Sequence, residues 1–286
     1  MHSFDSKLTI TFEFLKLYIL NMFQTKGTIN LFYFKNLSEQ PAIKHFITGK
    51  KINTPGYEHT SLNMSFNTQA IPETADNFNL LSSETNIPLS QFVFQYQTHS
   101  SNVSVVGTNH VTNYKNHTLN CIHNNDALVT ATKNIALFIK AADCVPIFLF
   151  DCKKNVIAAI HSGWKGTVQN ITQQTINVMK GQFGTQPENI IAGIGPAIGV
   201  CCYEVGSEVY TNATLLLNTD AVFSHNIVTG KYHLNLKETN KNLLIKAGVP
   251  LKNIEITDIC TKCSGSDFFS ARNKDTGRFG GGIMLQ

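Results

Sequence analysis

Ile135-Ala136-Leu137-Phe138-Ile139, Ala142-Asp143-Cys144, Val145-Pro146-Ile147-Phe148-Leu149-Phe150 and Val156-Ile157-Ala158-Ala159-Ile160-His161 follow one another in the middle of the chain. The three apolar runs read as β-strands broken by short polar segments. Cys144 lies between the first two runs and His161 ends the third. Upstream, Phe92-Val93-Phe94-Gln95-Tyr96 is another strand, and Gln97-Thr98-His99-Ser100 follows it directly. Three residues with affinity for borderline metals thus sit at the ends of apolar runs. Two imidazoles and a thiolate are a donor set that zinc takes when a fourth position is left open. Spacing alone does not group them, because no local pattern such as His-Glu-x-x-His is present.

Working outward, strands are expected at 92–97, 102–106, 127–130, 135–140, 145–150 and 155–160, with earlier and later ones at 28–34 and 190–194. Val168, Ile171, Thr175, Val178 and Met179 recur at helical spacing, with Gly181 as the expected stop. Leu236, Leu243, Leu244 and Ala247 do the same, ended by Gly248 and Pro250. Further helices are expected from Ala75 to Leu81 and from Glu204 to Leu217. Residues 36–56 read as mixed, with turn signals at Gly49 and Pro55-Gly56. Strands and helices alternate without a strict βαβ rhythm, which predicts an α+β fold with a mixed sheet flanked by helices. No repeat or linker divides the chain, so one domain is expected.

Composition bounds the function. Hydrophobic residues make up 42% and charged residues 15% of the 286, as in folded globular proteins. The net charge of +4 is small and the lysines are scattered, which argues against a nucleic-acid groove. Seven cysteines, an odd number, do not read as a disulfide framework and suit a reducing compartment. The apolar stretch from Leu8 to Leu20 is short and contains Glu13 and Lys16, so neither a membrane span nor a signal peptide is expected. The expected location is cytoplasmic.

Other residues carry candidate chemistry beside plainer readings. Asp143, next to Cys144, is either a proton acceptor or support for a metal ligand, and otherwise a loop hydrogen-bonder. Asp126 either orients a histidine or caps a turn. Trp164 packs in the core or offers a stacking wall for a flat base. Lys165 and Gly166 open a helix whose N-terminus suits an anion. Gly193-Ile194-Gly195-Pro196-Ala197-Ile198-Gly199 is a tight turn and not a P-loop, because no Gly-Lys-Ser/Thr follows. Cys201-Cys202-Tyr203 is expected buried against that turn. Cys260-Thr261-Lys262-Cys263 suggests zinc or redox work, but a structural zinc needs two more ligands and no second Cys-x-x-Cys pair exists. Both cysteines are therefore read as structural.

Taken together, Gln97-Thr98-His99, Asp126-Ala127-Leu128-Val129-Thr130, Ala142-Asp143-Cys144-Val145-Pro146, His161-Ser162-Gly163-Trp164-Lys165-Gly166, Gly195 to Val205, and Cys260-Thr261-Lys262-Cys263 followed by Phe268-Phe269-Ser270-Ala271-Arg272 resemble the YfiH family. That family is also called the polyphenol-oxidase or laccase-domain family and is now more often read as purine nucleoside phosphorylases. The resemblance covers residues 30–286 as one catalytic domain and leaves 1–29 as an unmatched extension, with Met22 an alternative start. It implies that His99, Cys144 and His161 bind zinc, with copper as the alternative. It implies Asp143, Cys144 and Arg272 in catalysis, and Lys50, Trp164 and Lys165 in substrate binding. The family pattern differs here: Lys50 and Lys165 stand where the family has Arg, the glycine pair after Lys50 is missing, and Asn273 replaces a second Arg. A lysine keeps the charge but loses the bidentate fork.

The activity implied is phosphorolysis of adenosine, inosine, guanosine or S-methyl-5'-thioadenosine, together with deamination of adenosine. The partners implied are purine nucleosides and phosphate, with no nucleic acid and no membrane. Rival readings are a copper-dependent polyphenol oxidase, a cysteine-dependent amide hydrolase with Cys144 as nucleophile, and a binding protein with a closed structural metal. Multicopper oxidation needs many paired His-x-His ligands, and none of the ten histidines forms that pattern.

Overall fold

Strands whose two faces are both buried sort their side chains by parity. Phe148 and Phe150 enter one apolar cluster, while Ile147 and Leu149 enter another on the opposite face. Leu137 and Ile139 face the first cluster, while Ala136 and Phe138 face a third. The uninterrupted apolar runs of the sequence are therefore strands in the middle of a layered structure. The structure is a computed structural model, and it describes residues 22–55, 61–65, 72–111 and 120–286.

The first sheet has seven strands, in the order β1 (Phe23–Lys26), β2 (Ile29–Tyr33), β3 (Ile43–Ile52), β16 (Phe279–Leu285), β8 (Ala136–Ala141), β4 (Phe92–Tyr96) and β6 (Asn120–His123). Pairing is antiparallel from β1 through β8 and parallel from β8 through β4 to β6. The second sheet has six: β15 (Ile254–Ile256), β11 (Ile190–Ile194), β9 (Val145–Asp151), β10 (Val156–Ser162), β7 (Ala127–Thr130) and β5 (Val103–Val105). A small third sheet joins β12 (Glu204–Val205), β14 (Lys231–Leu234) and β13 (Phe223–Asn226). The expected mixed sheet is therefore two large mixed sheets.

The large sheets pack face to face through Ile47, Leu137 and Ile139 of the first and Phe148, Phe150, Ile157 and Ala159 of the second. After the short helix α1 (Lys35–Ser38), α2 (Pro72–Thr85) covers the outer face of the first sheet, with Phe78 and Leu81 against Phe92, Phe94 and Phe138. The outer face of the second sheet is covered by α4 (Ile171–Phe183) and α6 (Leu236–Lys246), which follow α3 (Trp164–Val168) and α5 (Ser207–Leu217). Asn235 caps α6, its side chain accepting from the Glu238 N–H.

Several local expectations change. Gly49 is not a turn but lies inside β3, where an added Cβ would sit 3.1 Å from Asn30 Cβ and 3.2 Å from Phe32. Gly181 lies within α4, and the helix ends instead at Gly184, whose φ of 68° is the left-handed end conformation. The expected helix from Glu204 begins only at Ser207, because Glu204 and Val205 pair with β14. The central strand β16 was not expected, since three glycines discourage a strand. Their neighbours supply the packing: a Cβ at Gly280 would meet Phe138 Cζ at 2.2 Å, and one at Gly282 would meet Phe46 Cζ at 2.6 Å. Residues 22–29 of the segment read as an extension contribute β1 and the start of β2. Residues 1–21 and the turn at Gly56 lie outside the described residues.

Candidate metal centre

The chain passes from one large sheet to the other twice at neighbouring places. The segment 97–102 leads from β4 to β5, and 142–144 leads from β8 to β9. Because β4 and β8 are parallel neighbours, the two crossings leave the first sheet at the same end. Gln97 prolongs this pairing with its side chain. Its Nε2 donates to Lys140 O at 2.7 Å, and its Oε1 accepts from Lys140 N at 2.9 Å. His161, the penultimate residue of β10, lies opposite Pro146 of β9. The ligand atoms of His99, Cys144 and His161 consequently lie within 4.8 Å of one another.

Both crossings use left-handed backbone at residues other than glycine: His99 has φ 59° and Asp143 has φ 92°. Such conformations persist only where surrounding bonds hold them. Asp126, fully buried, holds the first. Its Oδ1 accepts from the His99 N–H at 3.1 Å, and its Oδ2 from the N–H and hydroxyl of Ser100, each at 2.7 Å. Oδ1 also meets His161 Nδ1 at 2.9 Å. One carboxylate thus shapes the His99 loop and fixes the His161 ring, leaving Nε2 as the nitrogen free to ligate. Burial opposes the charge of Asp126, but its bonds to His161 and Ser100 bring its pKa down to about 2.

Asp143 is held as firmly. Thr261 Oγ1 donates to its Oδ1 at 2.6 Å, the Arg272 N–H donates to its Oδ2 at 2.9 Å, and the Ile198 N–H donates to its carbonyl at 2.9 Å. Burial pushes the Cys144 thiol up, but His161 and His99 beside it bring it down to about 6. Burial would lower His161, and Cys144 and Asp126 instead raise it to about 9. The half-buried sulfur and the imidazoles therefore favour a thiolate, the form that binds metals. The donor set fits zinc: one thiolate and two imidazoles converge, a carboxylate stands behind one of them, and the third side faces a cavity.

Gly163 completes the arrangement. A Cβ there would lie 2.9 Å from Cys144 Sγ and 3.1 Å from His99 Cδ2, so only glycine lets α3 start this close to the cluster.

The cavity beside the cluster measures about 680 Å³, and its lining includes His99, Asp143, Cys144, His161, Tyr203 and Arg272. Lys140 and Arg278 also line it, and sequence reasoning passed over both. Lys140 follows a strand's apolar run and Arg278 precedes the unexpected β16, so neither stands in a recognisable motif. Burial lowers the Lys140 ammonium to about 8, against the pull of Cys121. Arg272 donates from Nη2 to Glu204 O at 2.9 Å and lies 5.1 Å over the Tyr203 ring.

The lining does not include Lys50, Trp164 or Lys165. Lys50 pairs with Asp275 at 3.1 Å and lies 4.8 Å over Phe269. Trp164 is half-buried and packs against the apolar clusters under α4 and α6. Lys165 is exposed, with its ammonium 5.7 Å over the Trp164 ring. The helix that Lys165 opens is only five residues long, which leaves it little dipole for an anion.

Among the described residues no helix is long and apolar enough to cross a membrane. Known proteins are similar to this chain in sequence or in architecture. A purine nucleoside phosphorylase of Bacteroides thetaiotaomicron is 32% identical over 256 residues, 88% of this chain and 95% of that protein. A protein named adenosine deaminase RL5, from an unknown prokaryote, is 36% identical over 195 residues, 67% of this chain and 73% of its own. The crystal structure of YfiH from Bacillus licheniformis superposes with a TM-score of 0.80 at 29% identity, covering 93% of this chain and 99% of that one. YlmD from Geobacillus stearothermophilus gives 0.80 at 26% identity, covering 93% and 98%. Residues 44–286 match the family described as multi-copper polyphenol oxidoreductase laccase, and this chain belongs to that family, in which YfiH and YlmD are its structural counterparts.

Proposed function

We propose that this chain is a zinc-dependent purine nucleoside phosphorylase that also deaminates adenosine. The observation that carries the reading is one cavity with a His-Cys-His cluster and three cationic side chains, Lys140, Arg272 and Arg278, in its lining. Relatives named for phosphorolysis and for deamination support it.

His99, Cys144 and His161 would hold the zinc, which when bound supplies a Lewis acid and brings the pKa of bound water towards neutrality. The chain's own groups do the rest. Asp126 holds Nδ1 of His161 and so keeps Nε2 turned to the cluster, where a metal would displace its proton. Lys140, Arg272 and Arg278 hold phosphate, whose oxygen attacks the anomeric carbon of the nucleoside while the purine departs with the glycosidic electron pair. Positive charge grows on the ribose in that step, and the bound phosphate stabilises it. Tyr96 and Tyr203 give the cavity flat surfaces for the base. Asp143 acts as a positioning residue, because Thr261 and Arg272 already engage both its oxygens. Adenosine, inosine, guanosine and S-methyl-5'-thioadenosine are the substrates proposed. The reading places the reaction in the cytoplasm.

The test uses chelator-treated protein reloaded with zinc or with copper. Zinc-loaded protein should release hypoxanthine from inosine only with phosphate, and ammonia from adenosine without it. Oxidation of phenols by the copper form, with no nucleoside turnover by the zinc form, would overturn the proposal. Turnover that survives complete metal removal would point instead to Cys144 as a nucleophile.

A further inference from the structure

The two cysteine pairs that the sequence holds apart are brought together by the fold. Cys201 and Cys202 follow the turn after β11, and Cys260 and Cys263 follow β15, the parallel neighbour of β11. Ala197 and Cys260 continue that parallel pairing as a bridge, with the Thr261 N–H donating to Ala197 O at 3.0 Å. All four sulfurs lie within 4.8 Å of one another. Cys202 and Cys263 are 3.4 Å apart and Cys201 and Cys263 are 3.7 Å apart. None of them is in a disulfide.

We propose that Cys201, Cys202, Cys260 and Cys263 bind a second zinc ion as a closed structural site. A tetrahedral ion with Zn–S bonds of about 2.3 Å sets its sulfurs about 3.8 Å apart, near the separations seen here. A multi-iron cluster would hold its thiolates farther apart. The surroundings suit a thiolate centre. Gly199 N–H donates to Cys260 Sγ at 3.1 Å, and the Cys263 N–H donates to the same sulfur. Gly199 also leaves the room: a Cβ there would be 3.0 Å from Cys260 Cβ and 3.1 Å from Cys201 Sγ. The buried ammonium of Lys237, on α6, is close enough to interact with Cys260 and Cys201 and offsets part of their charge. Cys201 and Cys263 are exposed, so the ion has a way in.

The site would clamp two loops that build one wall of the cavity. The first loop runs on to Tyr203, and both loops bond Asp143, through the Ile198 N–H and Thr261 Oγ1. Four protein ligands leave no open position, so this ion would brace and not catalyse.

The experiment is metal analysis of full-length protein, reduced, chelator-treated and reloaded anaerobically with Zn²⁺ alone. Wild type should bind two equivalents per chain, Cys201→Ser/Cys263→Ser one, and His161→Ala one. Loading His161→Ala with Co²⁺ should give the intense thiolate-to-cobalt absorption of a four-thiolate tetrahedral centre, a result that needs no cysteine substitution. A single equivalent in wild type that His161→Ala abolishes would overturn the proposal. So would His161→Ala with no such cobalt spectrum, or loss of no metal in the double cysteine variant. The count is independent of nucleoside turnover, so it stands or falls apart from the proposed activity.

Discussion

Replacing Asp126 with asparagine tests how the centre is held. The carboxylate accepts from the N–H groups of Thr98, His99 and Ser100, from the Ser100 hydroxyl, and from His161 Nδ1. Asparagine keeps the shape but offers one acceptor oxygen and one donor group. If its oxygen serves Ser100, its amide faces His161 Nδ1. The ring must then accept there and carry its proton on Nε2, the nitrogen needed by a metal. If the amide flips, donors at Ser100 meet donors and the His99 loop moves. Either outcome should weaken zinc binding ten- to hundredfold, or about 1.4–2.8 kcal/mol.

The metal-free protein should also lose stability. Asp126 sits at about 2 against an ordinary 3.8, a depressed carboxylate. Its contribution, about 2 kcal/mol, is present above the ordinary value and disappears as pH falls through about 2. Wild type should therefore exceed Asp126→Asn by about this much at pH 6, and the gap should close in strong acid. Competition with a chromophoric chelator reads the first effect, and denaturant melts of chelated protein read the second. Zinc affinity within twofold of wild type would refute the claim that Asp126 sets the His161 tautomer.

Gly163→Ala should fold but lose the zinc of the His-Cys-His centre, since its Cβ would press on Cys144 Sγ at 2.9 Å; a zinc content equal to wild type by elemental analysis would contradict this. Arg278→Ala should raise the phosphate KM about ten- to a hundredfold, the loss of one charge-assisted hydrogen bond, whereas Lys165→Ala should leave it unchanged; steady-state phosphorolysis with varied phosphate separates them. His45, buried and accepting the Phe34 N–H at 2.9 Å, is lowered by burial to about 4. The stability it gives is full above its ordinary 6.5 and drains as pH falls towards 4. Wild type should lose about 3 kcal/mol over that window. His45→Gln should lose much less across it, as urea midpoints at several pH values would show.

By itself the sequence determined the middle strands, the presence of the two helices now seen at Ile171–Phe183 and Leu236–Lys246 (though not the end of the first, placed at Gly181), and the family, because these rest on local periodicity and ordered motifs. It also offered His99, Cys144 and His161 as ligands, though only by resemblance. The tertiary structure decided what no local pattern encodes. A run such as Val145-Pro146-Ile147-Phe148-Leu149-Phe150 says that both faces are buried but not against what, and the answer is a second sheet on one side and helices on the other. The glycine-rich β16 becomes a strand only because Phe46 and Phe138 from neighbouring strands fill its missing side chains. Lys140 and Arg278 reach the cavity because β8 and β16 pair at the end where the chain changes sheets. Cys201 and Cys202 meet Cys260 and Cys263 because β11 and β15 run parallel, which delivers the loops after them to the same edge. Sequence carries the chemistry of each side chain, but pairing between distant strands fixes which of them can act together.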